Sequence, residues 1–188
     1  VLLSLAPGAA SGLSPSTFPA DQWRSWASVA WKYFKTCWNP SKGLTYDAYR
    51  WYHLTDWGLA SYILALVSAH ELGLVTDTET YSFGYRVDKV LDFLNTRQLT
   101  GSPGHQVPYG VYDSDTGNPM HGGWATNTAD YARLLSALYL LKAHLTGLGD
   151  QTRAGKVDLA VGRVDNSYYG FGADLYGYYA TLGFTVWG

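Results

Sequence analysis

Cysteine, charge and basic clusters are all scarce in this chain. A single cysteine, Cys37, cannot close an internal disulfide, so no covalent framework substitutes for a core and the cysteine pattern marks no oxidising compartment. Beside Trp38 at an expected helix end, Cys37 reads as a small buried hydrophobe. Charged residues make up 15% of the chain, against about 25% in average soluble proteins. Thirteen Lys and Arg face 15 Asp and Glu, for a formal charge of −2, with no run of basic residues. Neutralising phosphates requires clustered cations, which excludes a general nucleic-acid or anionic-membrane binder. No apolar run is long enough for a transmembrane segment. Phosphate loop, nucleophile elbow and dinucleotide fingerprint are missing too, and no cofactor is implied.

Metal motifs are equally thin. His53, His105 and His121 match no zinc spacing. The run Asp113-Ser-Asp-Thr-Gly-Asn118 has its glycine one place early for a calcium loop and lacks the distal Glu. Tyr112 to Pro119 therefore reads as a turn between short strands, its Asp side chains bonding to backbone. No metal site is expected.

What the chain has in abundance is aromatic and apolar surface. It contains 8 Trp and 16 Tyr, is 47% apolar, and at 188 residues can bury one real core. Residues 1–19 carry no Lys, Arg, Asp or Glu. They read as an apolar, Ser/Pro-rich N-terminal segment, either a secretory-signal remnant or an assembly arm. Residues 20–188 form the expected domain.

Hydrophobic periodicity places about six helices on that domain. The first is expected to be capped by Asp21, carry Trp23, Trp26, Ala27, Ala30, Tyr33 and Phe34 at helical spacing, and stop by Asn39-Pro40. The second starts at Thr55 or Asp56, is apolar on most sides, and ends at Gly73 in a left-handed cap. The third, from Thr80 to Thr96, shows one stripe of Phe83, Val87, Val90, Leu91 and Leu94. The fourth begins near Thr126, the fifth runs from the turn at Gly149-Asp150 to about Val164, and the sixth covers DLYGYYATLGFTVW. Connections one to two, three to four and five to six are long and aromatic, while the others are short. In consecutive antiparallel hairpins, that alternation brings all the long loops to one end, with amphipathic outer and apolar inner helices. The fold class is all-α: tandem αα-hairpins forming a partial toroid, with long aromatic loops on one face.

Several stretches carry a family resemblance. The segment Thr55-Asp-Trp-Gly-Leu59 opens a helix that runs to Leu72-Gly73. It is followed by the turn at Tyr112, Asp113, Thr116 and Gly117, then by Asp130, Arg133, Leu134 and Leu135. In this order, from about Ala30 to Trp187, the chain resembles an uncharacterised extracellular family of glucoamylase-like α/α-toroid domains. The resemblance implies a toroid of outer and inner helices with a glycan-handling groove at one end. A complete toroid has about twice as many helices as are counted here, so the chain reads as half a ring. Where the family tends to carry a Glu between two tyrosines, this chain has Gly177 between Tyr176 and Tyr178.

Glycoside hydrolysis needs two carboxyls, one held protonated. Asp56 and Asp130, at the starts of the two apolar helices, are the expected catalytic pair. The competing structural roles are helix capping for Asp56 and an i, i+3 ion pair with Arg133 for Asp130. Tyr49, Trp51, His53, Tyr109, Tyr112, Asp113, Trp124, Arg133 and Tyr168 are the expected glycan-binding set, since rings beside polar groups suit sugars. Two functions follow. One is a secreted carbohydrate-active domain, a possible glycoside hydrolase relative acting on an oligo- or polysaccharide. The other is a non-catalytic extracellular or cell-surface protein that self-assembles into a homo-oligomer or filament through its apolar N-terminus and open inner helices.

Overall fold

In the computed structural model, residues 19–120, 124–169 and 177–187 are described. The expected N-terminal arm, His121, Tyr176 and half of the third long loop lie outside them. Helix α1 spans Ala20–Thr36 and follows Pro19 at its N-cap. Pro suits a helix start because its fixed φ is pre-organised and its missing N–H would be unpaired anyway. Asp21, expected as the cap, lies instead in the first turn, where its charge complements the helix dipole.

α2 covers Asp56–Glu71 and is capped by Thr55, whose hydroxyl accepts the Gly58 N–H at 3.1 Å. It buries Leu59, Ala60, Tyr62, Ile63, Leu66 and Ala69, more than one face of the helix. Gly73, at φ 64°, supplies the left-handed residue after its end. α3 runs Phe83–Thr96, three residues later than expected, because the Ser82 hydroxyl takes the Tyr85 N–H. Its stripe of Phe83, Val87, Val90, Leu91 and Leu94 is buried, as the spacing predicts. α4, Thr128–Gly147, is capped by Asn127 rather than starting at Thr126. α5 is Gln151–Gly162, capped by Asp150, and α6 is Gly177–Thr185.

Inner helices α2 and α4 lie side by side and parallel. Asp56 and Asp130, at their starts, feel one another's charge, and at their far ends His70 Nδ1 and His144 Nε2 are 2.9 Å apart. α6 packs on the other side of α4, α1 lies against α2, and α5 contacts both α3 and α4. Gly183 permits the close approach of α6: a Cβ there would sit 2.0 Å from the Ala132 carbonyl oxygen. Trp187 Nε1 then donates to the Leu135 carbonyl at 2.9 Å. Each fully buried leucine in this core, such as Leu59, Leu134 and Leu135, contributes roughly 1.5–3 kcal/mol.

Short strands tie the long loops together. β1 (Trp38–Asn39) pairs with β2 (Leu44–Thr45), and β4 (Leu99–Ser102) with β5 (His105–Pro108). The third pair is non-local: β3 (His53–Leu54) joins β6 (Tyr112–Asp113), which links the first and second long loops. The third loop docks at its start, where the Asp165 N–H donates to the Gln106 carbonyl at 2.8 Å. All three loops therefore gather at the N-terminal ends of α2 and α4. The architecture is all-α and toroid-like, with its long loops on one face.

Candidate functional site

The five residues from Thr55 to Leu59 each hold a separate part of the loop face. Thr55 caps α2, and Leu59 is fully buried in the core. Asp56 is buried, its Oδ1 accepting from the equally buried Arg97 guanidinium. Trp57 lies beneath the Arg133 guanidinium, 3.9 Å from ring centroid to Cζ. Gly58 makes room for Asp47: a Cβ at 58 would lie 1.7 Å from Asp47 Oδ1.

The structure does not make Asp56 and Asp130 a facing pair. Burial pushes the Asp56 carboxyl up, and the Arg97 guanidinium opposes that push. With 1% exposure, Asp56 has no surface to offer a substrate. It is a charge partner for Arg97, and the capping role belongs to Thr55. Asp130, in contrast, is half-buried in the first turn of α4. Burial and the Asp56 charge raise its carboxyl, while Asn127 and Arg133 draw it back. Arg133 stacks on Trp57 in place of the expected ion pair with Asp130.

The acid that sequence spacing passed over is Asp47. Its Oδ2 accepts the Thr55 N–H at 2.9 Å, and its Oδ1 has no hydrogen-bond partner among the described residues. Burial pushes the Asp47 carboxyl up to about 6, with Asp130 and Asp56 adding to the rise and the Thr55 bonds opposing it. Asp47 also lines a cavity of about 290 Å³ together with Tyr33, Tyr46, Thr55, Trp57 and Ser61. No local motif marks Asp47. The available signal is its position on the first long loop, facing the glycine of the Thr55–Leu59 segment.

The expected glycan-binding residues fall into two groups. Tyr49 is 65% exposed, Trp51 55%, Trp124 78% and Tyr168 57%, so these rings are open to solvent on the loop face, with Trp51 packed on the His53 ring and Tyr168 edge-on to Tyr169. Tyr49 and Trp51 sit on a tight hairpin closed by the Asp47 N–H to the His53 carbonyl, with Arg50 at φ 62° at its tip. Tyr109 is half-buried, and Tyr112 is buried. Tyr112 cannot stack a sugar. Its hydroxyl donates to the Gln98 carbonyl at 2.7 Å and accepts the Tyr109 N–H at 3.0 Å. Asp113 Oδ1 is occupied by Asp115 N, Thr116 N and the Thr116 hydroxyl, as the turn chemistry predicts. His53 is half-buried in β3, and His105 bonds Asp165 Oδ2 at 2.7 Å. Among the described residues, no group of three His, Cys, Asp or Glu could hold a metal ion.

Inner helices α2 and α4 packed among outer helices, with the long loops on one face, define an all-α, toroid-like fold. A solved structure titled as that of a "putative glucoamylase" from Bacteroides fragilis NCTC 9343 superposes with a TM-score of 0.64 over 84% of this chain, at 18% identity. The chain spans 40% of that protein's length. At this identity the likeness is one of fold. The chain belongs to the family described as "Protein of unknown function (DUF3131)", whose model matches residues 25–174. No curated protein matches it.

A buried carboxyl held near 6 makes stability depend on pH in a defined direction. The unfolded chain releases this proton near pH 4, whereas the native chain keeps it until about 6. The native state is therefore destabilised progressively as pH rises through that window, and the full cost stands above it. Asp47→Asn keeps an acceptor for Thr55 and removes the buried charge. It is expected to raise the melting temperature at pH 7.5 relative to the parent, with the gain vanishing near pH 4. Thermal melts at the two pH values check this, and an equal effect at both would show that Asp47 titrates normally.

Proposed function

We propose that the loop face is a glycan groove in which Asp47 and Asp130 hydrolyse a glycosidic bond. The carrying observation is a carboxyl held near 6 beside a second raised carboxyl, on the loop face that also carries exposed aromatic rings. Asp47, protonated at mildly acidic pH, donates to the glycosidic oxygen as the C–O bond breaks. Asp130, ionised, accepts a proton from the attacking water, whose oxygen forms the new bond to the anomeric carbon. The products are a sugar hemiacetal and an alcohol. Asp56 takes no proton in this scheme. Its pairing with Arg97 fixes the start of α2, and hence the Thr55 N–H that orients Asp47. Tyr49, Trp51, Trp124 and Tyr168 supply stacking surfaces for successive sugar rings.

The fold of the glucoamylase-titled relative supports this class of chemistry. In this proposal the domain works outside the cell, and its helices form one part of a larger ring. A panel of oligosaccharides assayed for new reducing ends tests the reading. Activity should fall as pH rises above about 6, and Asp47→Asn and Asp130→Asn should each lower kcat by about a hundredfold or more. Full activity in both variants would remove these residues from the mechanism.

A second reading, assembly between copies of this chain, is favoured by one feature. Trp23, Trp26 and Val29 are 48%, 44% and 62% exposed along α1. Large aromatic residues with this much solvent exposure on one helix are typical of interfaces. Under this reading the parent chromatographs as an oligomer, and Trp26→Glu elutes as a monomer. A monomeric parent at high concentration would refute it.

A further inference from the structure

Two arginines on the loop face are stacked on aromatic rings with their donors unused among the described residues, Arg133 feeling the charge of Asp130 without pairing with it. Arg133 Cζ lies 3.9 Å above the Trp57 ring, and Arg50 Cζ lies 5.3 Å from the Tyr49 ring centroid. Among the described residues, neither guanidinium donates a hydrogen bond or pairs with a carboxylate. Most of the other arginines are tied down. Arg86 donates to the Tyr62 hydroxyl and the Tyr81 carbonyl, and Arg97 is paired with Asp56. Arg153 bridges Asp88 and Asp150, and Arg163 is bonded to the carbonyls of Leu94 and Arg97. Among the described residues Arg24 also makes no hydrogen bond, but it lies near Gly73, at the opposite end of α2 from the loops.

Both arrangements are held in place by the fold. Arg133 is half-buried in the second turn of α4, which Asn127 caps, so its position is set by a helix. Arg50 is the only non-glycine residue with positive φ among the described residues. A residue with a Cβ adopts that conformation at an energetic cost, and such strain concentrates at binding sites. Here it places a cation at the tip of the hairpin that carries Tyr49 and Trp51.

We propose that the glycan taken by this face is a polyuronate, a chain of sugars bearing carboxylates, with Arg133 and Arg50 as its two anion-binding residues. This rests on the glycan-groove reading above and adds the charge class of the substrate. A guanidinium presents a planar fork of donors that matches a carboxylate bidentately, and a ring beneath it leaves that fork free. A neutral sugar can use the rings but has no charge to offer the guanidinium. A uronate engages both groups at once, stacking through its C–H face and pairing through its carboxylate. Two such platforms suit a polymer that repeats the same charge along its length.

Binding of oligogalacturonate and of maltoheptaose to the full chain, each at low and high salt, tests the proposal by calorimetry. The uronate oligomer should bind at least about tenfold more tightly than the neutral one at low salt, and salt should erode that preference. Arg133→Gln should weaken uronate binding by about tenfold or more and neutral-sugar binding by much less. Arg133→Lys, which keeps the charge and loses the fork, should fall between, and melting curves confirm that the variants fold. Equal or tighter binding of the neutral oligomer, or no effect of Arg133→Gln, would overturn the polyuronate assignment and leave the groove standing. Binding of neither oligomer would overturn both.

Discussion

The buried pair between Asp56 and Arg97 is the constraint on which the loop face depends. Two charges have been taken out of water at the N-terminal end of α2, with side-chain exposures of 1% and 3%. Such a pair adds little net stability over well-packed apolar residues, but removing one partner alone leaves the other charged and stranded, at a cost of about 3–5 kcal/mol. What the pair supplies is position. Arg97 closes α3 and also lies 5.5 Å from the Tyr112 ring, so a single guanidinium binds the start of one inner helix to the end of an outer one. Tyr112, through β6, then pairs with β3 and brings the second long loop against the first.

Positions of the site groups follow from this anchor. With α2 fixed, the Thr55 N–H points at Asp47, and Gly58 leaves the space its carboxyl occupies. With α4 parallel to α2, Asp130 and Arg133 rise beside it. Asp115 adds a further tie across the loops, accepting from Asn39 Nδ2 at 2.7 Å and from the Tyr46 hydroxyl at 3.0 Å. The face is therefore assembled from long-range bonds on a helical base. Loops held this way can present aromatic rings to solvent without collapsing onto them.

Much of the base was legible in the chain alone, because helical periodicity and caps are local signals. Gly73 after α2, the buried stripe of α3 and the alternation of long and short connections are all read from neighbours in sequence. The site was less legible for a specific reason. Asp56 is paired with a residue 41 positions away, which no local pattern announces, so its place at a helix start made it look like an exposed acid. Asp47 lacks a motif and acquires its character only from burial against Gly58 and the charges of Asp56 and Asp130. Tyr112 and Tyr49 look alike in sequence, yet a partner strand buries one and a hairpin tip exposes the other. Arg133 and Trp57 meet across two helices, and that meeting displaces the ion pair expected from i, i+3 spacing.

The central claim is that packing at the start of α2 turns an ordinary loop aspartate into a proton donor for the groove. Carbon-13 NMR titration of the Asp47 carboxyl tests it most directly. The account predicts a midpoint near 6 that falls when Asp130 is replaced by Asn. A midpoint in the usual carboxylate range, unmoved by that replacement, would contradict it.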